Sequence, residues 1–284
     1  SKAVILEDGI RVAARKVIEA GIGSEGPDRV FADALSEAGI TREEITRVMA
    51  TGYGRMTFPG ADDQASELSC HGKGIHYLIP EARVVIDIGG QDAKVMQINE
   101  RGALLNFVMN DKCAAGTGRF LDVVAGILSV QTSELAELAA KAEEPLSISS
   151  VCTVFAESEV ISHLAAGATR SDVAAGIHQS VAKRVAGLGN RIGFRGPIAM
   201  SGGVALNAGV VRALEHELGK QIVTHPDAQL AGAYGYNARE YIAGPHFKGA
   251  PTQGYQTPLV RRDLFKQGIL ALNSAAQERF KKDF

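Results

Sequence analysis

The sequence predicts an α/β protein of two related lobes with a nucleotide between them. Three observations carry that expectation. Apolar strand-like runs alternate with amphipathic helical runs along most of the chain. A strand hairpin opens the chain, and a second begins at Val84, a weak internal echo. Two glycine turns follow apolar strands more than a hundred residues apart, at Asp87-Ile88-Gly89-Gly90-Gln91-Asp92 and at Ser201-Gly202-Gly203.

Strand-like runs at 3–7 and 10–17 flank Asp8-Gly9, a short hairpin signal. A helix is expected over 27–39, with Pro27 near its start and Gly39 near its end. Thr41-Arg42-Glu43-Glu44 has the form of a capping box. A strand over 47–50 leads to Thr51-Gly52-Tyr53-Gly54-Arg55, and residues 62–74 read as helical. Strands are expected at 83–88, 92–98 and 103–110, then helices at 120–128, 133–142, 157–166 and 172–189. A strand at 197–200, a helix at 209–218, a strand at 221–224 and a helix at 227–241 follow. Residues 244–258, rich in Gly, Pro, Gln and Thr, read as a linker to a charged amphipathic helix over 259–282.

The 284 residues are 45% hydrophobic and 22% charged, close to soluble globular averages, so a substantial core can be buried. A net charge of −2 gives no bulk attraction to nucleic acid or membrane. No apolar run reaches the roughly 18–20 residues of a spanning helix, and the start is charged too soon for a signal peptide. These features point to the cytoplasm. Three cysteines, Cys70, Cys113 and Cys152, are an odd set without a disulfide framework.

The turn at 87–92 suits phosphate. An acid ends the strand, and two glycines let backbone N–H groups approach phosphate oxygens. Asp87 can hold a hydrated magnesium ion, which prefers carboxylates and keeps waters. An ordinary hairpin turn competes with this reading for the motif alone. The turn at Ser201-Gly202-Gly203-Val204-Ala205-Leu206-Asn207 again lies between a strand and a helix, where a base and ribose can rest on backbone. No P-loop and no Rossmann glycine pattern is present.

Cys113 and Cys152 each lie just before an expected helix, whose N-terminus favours a thiolate. Small residues around Cys113 leave room for a ligand. Two cysteines are half the set of a [4Fe–4S] cluster, and a two-fold dimer supplies the rest. Two structural thiols are the competing reading. Cys70-His71 reads as core or interface, and His163, His178, His216, His225 and His246 show no ligand spacing.

The chain is similar to the BadF/BadG/BcrA/BcrD ATPase family through 51–55, 67–71, 85–92, 109–120, 149–159 and 201–207, over about residues 1–243. Lys112-Cys113-Ala114-Ala115-Gly116-Thr117-Gly118 is the most specific stretch. The resemblance implies an actin-like fold of two ribonuclease-H-like lobes: lobe I over 1–83, lobe II with the cysteines over 84–226, a returning helix over 227–243, and a linker with docking helix over 244–284. Family members begin with a strand and phosphate loop ahead of the segment matching Ser1-Lys2-Ala3-Val4, so the resemblance implies that lobe I lacks its first strand here.

It implies Asp87 and Gln91 as catalytic residues, and nucleotide contacts from Gly89, Gly90, Asp92, Gly116, Thr117, Gly118, Gly202, Gly203, Asn207 and Gly232. Cys113 and Cys152 would hold a [4Fe–4S] cluster shared with a second copy or a paralogous subunit, alongside ATP or ADP and Mg2+. Reduced ferredoxin or flavodoxin would donate the electron, and a CoA-ester reductase or dehydratase would accept it. The tail beyond Gly244 tilts the expectation toward a benzoyl-CoA reductase subunit over a 2-hydroxyacyl-CoA dehydratase activator. A small-molecule kinase of the same superfamily leaves both cysteines without a task, and a non-catalytic nucleotide-binding scaffold is the remaining alternative.

Overall fold

In the computed structural model, residues 1–9, 11–20, 24–148 and 153–235 are described. The chain divides into two units, Ser1–Ile5 with Ala13–Tyr236, and Leu6–Val12 with Asn237–Phe284. The expected linker and final helix lie outside the described residues. In the second unit, Arg11 forms an ion pair with Glu7.

The first unit is organised by one five-stranded sheet in the order β7-β6-β5-β8-β9. Its strands are β5 (Val84–Ile88), β6 (Ala93–Ile98), β7 (Leu104–Asn110), β8 (Ile198–Ser201) and β9 (Ile222–Val223). β5, β6 and β7 are antiparallel neighbours, whereas β8 and β9 run parallel to β5. A sheet covered on both faces lets its central strand be apolar throughout. β5 reads Val-Val-Ile-Asp-Ile, and every residue of it is buried.

Side-chain alternation decides what each face receives. Val84, Ile86 and Ile88 join the larger core with α3 (Gly118–Ile127), α5 (Thr153–Ala165), α6 (Arg170–Gly189) and α7 (Ala208–Leu218). Val85 joins a smaller core under α2 (Glu67–Leu78) and α8 (Ala231–Tyr234). By the same parity Asp87, Lys94 and Ser201 face the α2 side: Lys94 shares the face of Met96 and Ile98, and Ser201 that of Ala199.

α2 and α8 meet backbone to backbone. A Cβ on Gly74 would lie 1.7 Å from the Ala231 carbonyl oxygen, so only glycine permits this approach. α2 starts at Glu67, later than the expected helix over 62–74. The Ser66 hydroxyl caps it by accepting from the Ser69 N–H. Asp62 accepts from the Val48 N–H at 2.6 Å, and β4 (Asp63–Gln64) pairs with β3 (Met49–Ala50).

β1 (Lys2–Glu7) pairs with β2 (Arg11–Val17) under α1 (Gly26–Ala38). Ile5, Ala14 and Ala34 form a small core there. α1 ends on Gly39 at φ 68°, whose N–H reaches the Leu35 and Ser36 carbonyls. Among the described residues no strand joins the β1-β2 pair to the β3-β4 pair as β5 joins β6 to β8. The expected helix over 133–142 is a short turn at Thr132–Glu134 followed by α4 (Leu135–Ala139). No helix among the described residues is long and apolar enough to cross a membrane.

On α6, His178 is buried with its ring against Gly209 of α7. Burial, and secondarily the charge of Arg212, push its pKa from 6.5 down to about 4. The folded chain therefore holds the ring neutral where the unfolded chain protonates it. That stability is complete above pH 6.5 and is lost as pH falls toward 4, roughly 3 kcal/mol at most. Thermal melts should show this decline, and His178→Met should flatten it. Gly74→Ala should cost more than about 3 kcal/mol in urea melts by forcing α2 from α8. Gly126→Ala, exposed on α3 with open space around it, should be neutral or stabilising by up to about 1 kcal/mol.

Candidate functional site

At the carboxyl ends of β5 and β8 the two glycine turns lie side by side, because Asp87 is in register with Ser201. Ser201 Oγ donates to Asp87 Oδ1 at 2.7 Å. Gly202 has φ 85°, and a Cβ on it would lie 2.2 Å from the Ile88 carbonyl oxygen, so the two turns can touch only through glycine. The first turn closes through the Gly89 N–H donating to the Asp92 carbonyl at 2.9 Å. Gly90 and Gln91 are exposed at its tip.

Beneath the turn is a buried cluster of charge. Lys94, with a side chain 1% exposed, donates to Glu67 Oε1 at 2.7 Å, Asp92 Oδ1 at 2.8 Å and Asp87 Oδ2 at 3.3 Å. His71 Nδ1 lies 3.1 Å from Asp87 Oδ1. Tyr53, from the loop ahead of α2, donates its hydroxyl to Asp92 Oδ2 at 3.0 Å. Burial opposes the charge on Asp87. The His71 imidazole, the Lys94 ammonium and the Ser201 hydroxyl outweigh it and hold the carboxyl well below the usual range. Burial likewise opposes the Lys94 charge, but Asp87, Asp92 and Glu67 raise its pKa. Asp87 is thus a fixed anion and too weak a base to carry a proton near neutrality.

Three carboxylates surround the Lys94 ammonium, and the Lys2 ammonium also feels their charge, although burial lowers its pKa. Ligand atoms of Glu67, His71 and Asp87 lie within 4.8 Å of one another. Carboxylate oxygens suit a hard ion such as magnesium; the imidazole suits softer metals. Cys70 and His71 are both buried, as core residues would be, and His71 also belongs to the charge cluster. Sequence reasoning passed over Glu67, His71 and Lys94. The available signals were the i, i+4 pair on α2 and a lysine inside an otherwise buried strand.

The other expected residues fall in different places. Gly116, at φ 82°, packs over Arg184, and Thr117 is buried with its hydroxyl donating to the Ala114 carbonyl. The Gly118 N–H donates to the Gly89 carbonyl at 2.8 Å, so this loop sits on the Gly89–Asp92 turn. Gly203 lies beside the Gln229 amide. Asn207 caps α7 by accepting from the Gly209 and Val210 N–H groups. A cavity of about 360 Å³ opens beside it, lined by Leu206, Arg212 and His225 among others. Gly232 lies against His71, where a Cβ would be 2.9 Å from Nε2.

Cys113 is a free, half-buried thiol in a loop of small residues, which fits one thiolate of a metal cluster. Cys152 lies outside the described residues; α5 begins at the next position, Thr153. α5 and α3, the helices that follow the two cysteines, pack together.

The fold with this pair of turns defines an actin-like ATPase. Residues 1–236 match the BadF/BadG/BcrA/BcrD ATPase family, and the chain belongs to that family. A 2-hydroxyisocaproyl-CoA dehydratase activator of Clostridioides difficile is 53% identical over 235 residues, 83% of this chain and 88% of that protein. The (R)-2-hydroxyglutaryl-CoA dehydratase activating ATPase of Acidaminococcus fermentans is 53% identical over 236 residues, 83% of this chain and 90% of that protein. A benzoyl-CoA reductase subunit of Thauera aromatica is 33% identical over 214 residues, 73% of this chain and 76% of that protein. The solved activator of the Clostridium difficile 2-hydroxyisocaproyl-CoA dehydratase, with bound ADPNP, superposes with a TM-score of 0.80 at 52% identity. The match covers 83% of this chain and 88% of that one.

Lys94→Met leaves three carboxylates without their buried counter-ion and should cost about 3–5 kcal/mol in urea melts. Adding Asp92→Asn should recover part of that loss.

Proposed function

We propose that this chain is an ATP-hydrolysing activator that delivers a low-potential electron to a 2-hydroxyacyl-CoA dehydratase. The observation that carries the reading is the direct seating of the Cys113 loop on the Gly89–Asp92 turn. A nucleotide site and a candidate cluster ligand are thereby adjacent. Relatives at 53% identity are named as dehydratase activators, whereas the reductase subunit is 33% identical. That difference reverses the tilt toward a benzoyl-CoA reductase subunit, which rested on the tail beyond the described residues.

In this reading residues 84–226 form the lobe that carries both turns and both cysteines. ATP lays its phosphates on Gly89 and Gly90, and its nucleoside on Gly202, Gly203 and Asn207. Asp87 and Glu67 hold a hydrated magnesium ion, and Lys94 limits the repulsion between them. Gln91, exposed at the turn tip, orients the attacking water. Hydrolysis is then positioning and charge stabilisation, consistent with an Asp87 that stays ionised.

Cys113 and Cys152 bind half of a [4Fe–4S] cluster, and a second copy supplies the other two thiolates. When bound, the cluster supplies a one-electron carrier between reduced ferredoxin or flavodoxin and the dehydratase. Val154 and Phe155, exposed on the first turn of α5, give the second copy an apolar surface. The setting is the cytoplasm.

The test is anaerobic iron and acid-labile sulfide analysis with electron paramagnetic resonance on wild type, Cys113→Ser and Cys152→Ser. One cluster per dimer, lost in either variant, is expected. A folded, nucleotide-binding chain that takes up no iron on anaerobic reconstitution would overturn the electron-transfer reading and favour the kinase alternative. Asp87→Asn should lower ATP hydrolysis by about a hundredfold or more, measured as phosphate release.

A further inference from the structure

The phosphate-type turn and the Cys113 loop are tied together at both of their ends. At one end β6 leaves the turn and β7 enters the loop, with Ala93 paired to Asn110. At the other end the Gly118 N–H donates to the Gly89 carbonyl at 2.8 Å, and the Arg119 N–H donates to the Gly90 carbonyl at 2.9 Å. The loop between these ties is braced by two internal hydrogen bonds. Asn110 Nδ2 donates to the Cys113 carbonyl at 2.8 Å, and Thr117 Oγ1 donates to the Ala114 carbonyl at 2.7 Å.

Peptide planarity turns these bonds into a lever. The Gly89 carbonyl shares a rigid plane with the Gly90 N–H, and the Gly90 carbonyl shares one with the Gln91 N–H. An anion that draws those N–H groups toward itself must rotate the two carbonyls the other way. The carbonyls hold the start of α3. Gly118 sits too close to absorb the motion by sliding: a Cβ on it would be 3.2 Å from the Gly89 oxygen and 3.3 Å from Gly90 Cα.

We propose that the backbone N–H groups of Gly118 and Arg119 are the coupling element that reports phosphate occupancy of the Gly89–Asp92 turn to Cys113. The ligand class is the terminal phosphates of a nucleoside triphosphate, and the proposal rests on the nucleotide reading above. Gly118 and Arg119 are positioning residues, acting through their peptide bonds and touching no reacting atom.

Arg119 allows the backbone bond to be separated from the side chain. Arg119→Pro removes the N–H at the second position of α3, where proline is tolerated and where α1 already carries Gly26-Pro27. Arg119→Ala removes only the side chain. The experiment uses the full chain, with nucleotide affinity from a fluorescent ATP analogue and Cys113 alkylation rate by iodoacetamide followed by peptide mass spectrometry. In wild type and Arg119→Ala, a non-hydrolysable ATP analogue should change the Cys113 rate by about fivefold or more. Arg119→Pro, which keeps the Gly118 bond but loses the second, should bind the analogue yet show a clearly smaller change than Arg119→Ala.

A nucleotide response in Arg119→Pro equal to that of Arg119→Ala would overturn the coupling. So would a wild type that binds the analogue without altering the Cys113 rate, and in that case the nucleotide reading survives. A wild type that binds no nucleotide removes both. Hydrogen exchange of the Gly118–Arg119 amides in wild type is a second measurement that needs no variant. Altered exchange with the analogue supports the coupling, and unchanged exchange in the bound state overturns it.

Discussion

The buried ammonium of Lys94 is the interaction on which the centre of this molecule depends. It joins Asp87 at the end of β5, Asp92 at the end of the turn and Glu67 on α2. Without it, three carboxylates would crowd one low-dielectric site, and α2 could not close over the sheet with Glu67 facing inward. Burial works against the charges on Asp87 and Lys94, yet mutual contact wins, so Asp87 stays ionised and Lys94 stays protonated. A fixed anion beneath two glycine turns is suited to hold a hydrated cation and poorly suited to shuttle protons.

That cluster also sets the mechanical frame. Tyr53 reaches it from the loop ahead of α2, and Ser201 reaches it from β8. The turn above it is held from below by Asp92 and from the side by the start of α3. A ligand on the turn therefore meets a surface with few independent freedoms. The Cys113 loop is bonded to that turn through backbone groups whose length and planarity are fixed.

Family membership and site geometry contribute differently. Similarity to dehydratase activators extends over most of the chain and moves the reading from a reductase subunit to an activator. Neither relative explains why the turns meet. That follows from Asp87 lying in register with Ser201 and from Gly202 lying where any side chain would strike the Ile88 carbonyl.

Local pattern determined a good deal from sequence alone. The alternation of strands and helices, the apolar run ending in Asp87 and the two glycine turns each depend on residues close along the chain. Hydrophobic periodicity and glycine sterics act over that range. The helix expected over 62–74 starts only at Glu67 because Asp62 and Ser66 are engaged elsewhere: one with the Val48 N–H, the other in capping α2. Glu67, His71 and Lys94 joined the site only through tertiary structure. Their sequence signals are an ordinary helix pair and one charge in a strand, and each acquires meaning when α2 packs over the α2-facing side of β5 and β6. The contact between the Cys113 loop and the Gly89–Asp92 turn was likewise decided by the fold, because backbone hydrogen bonds between distant segments leave no mark on residue type.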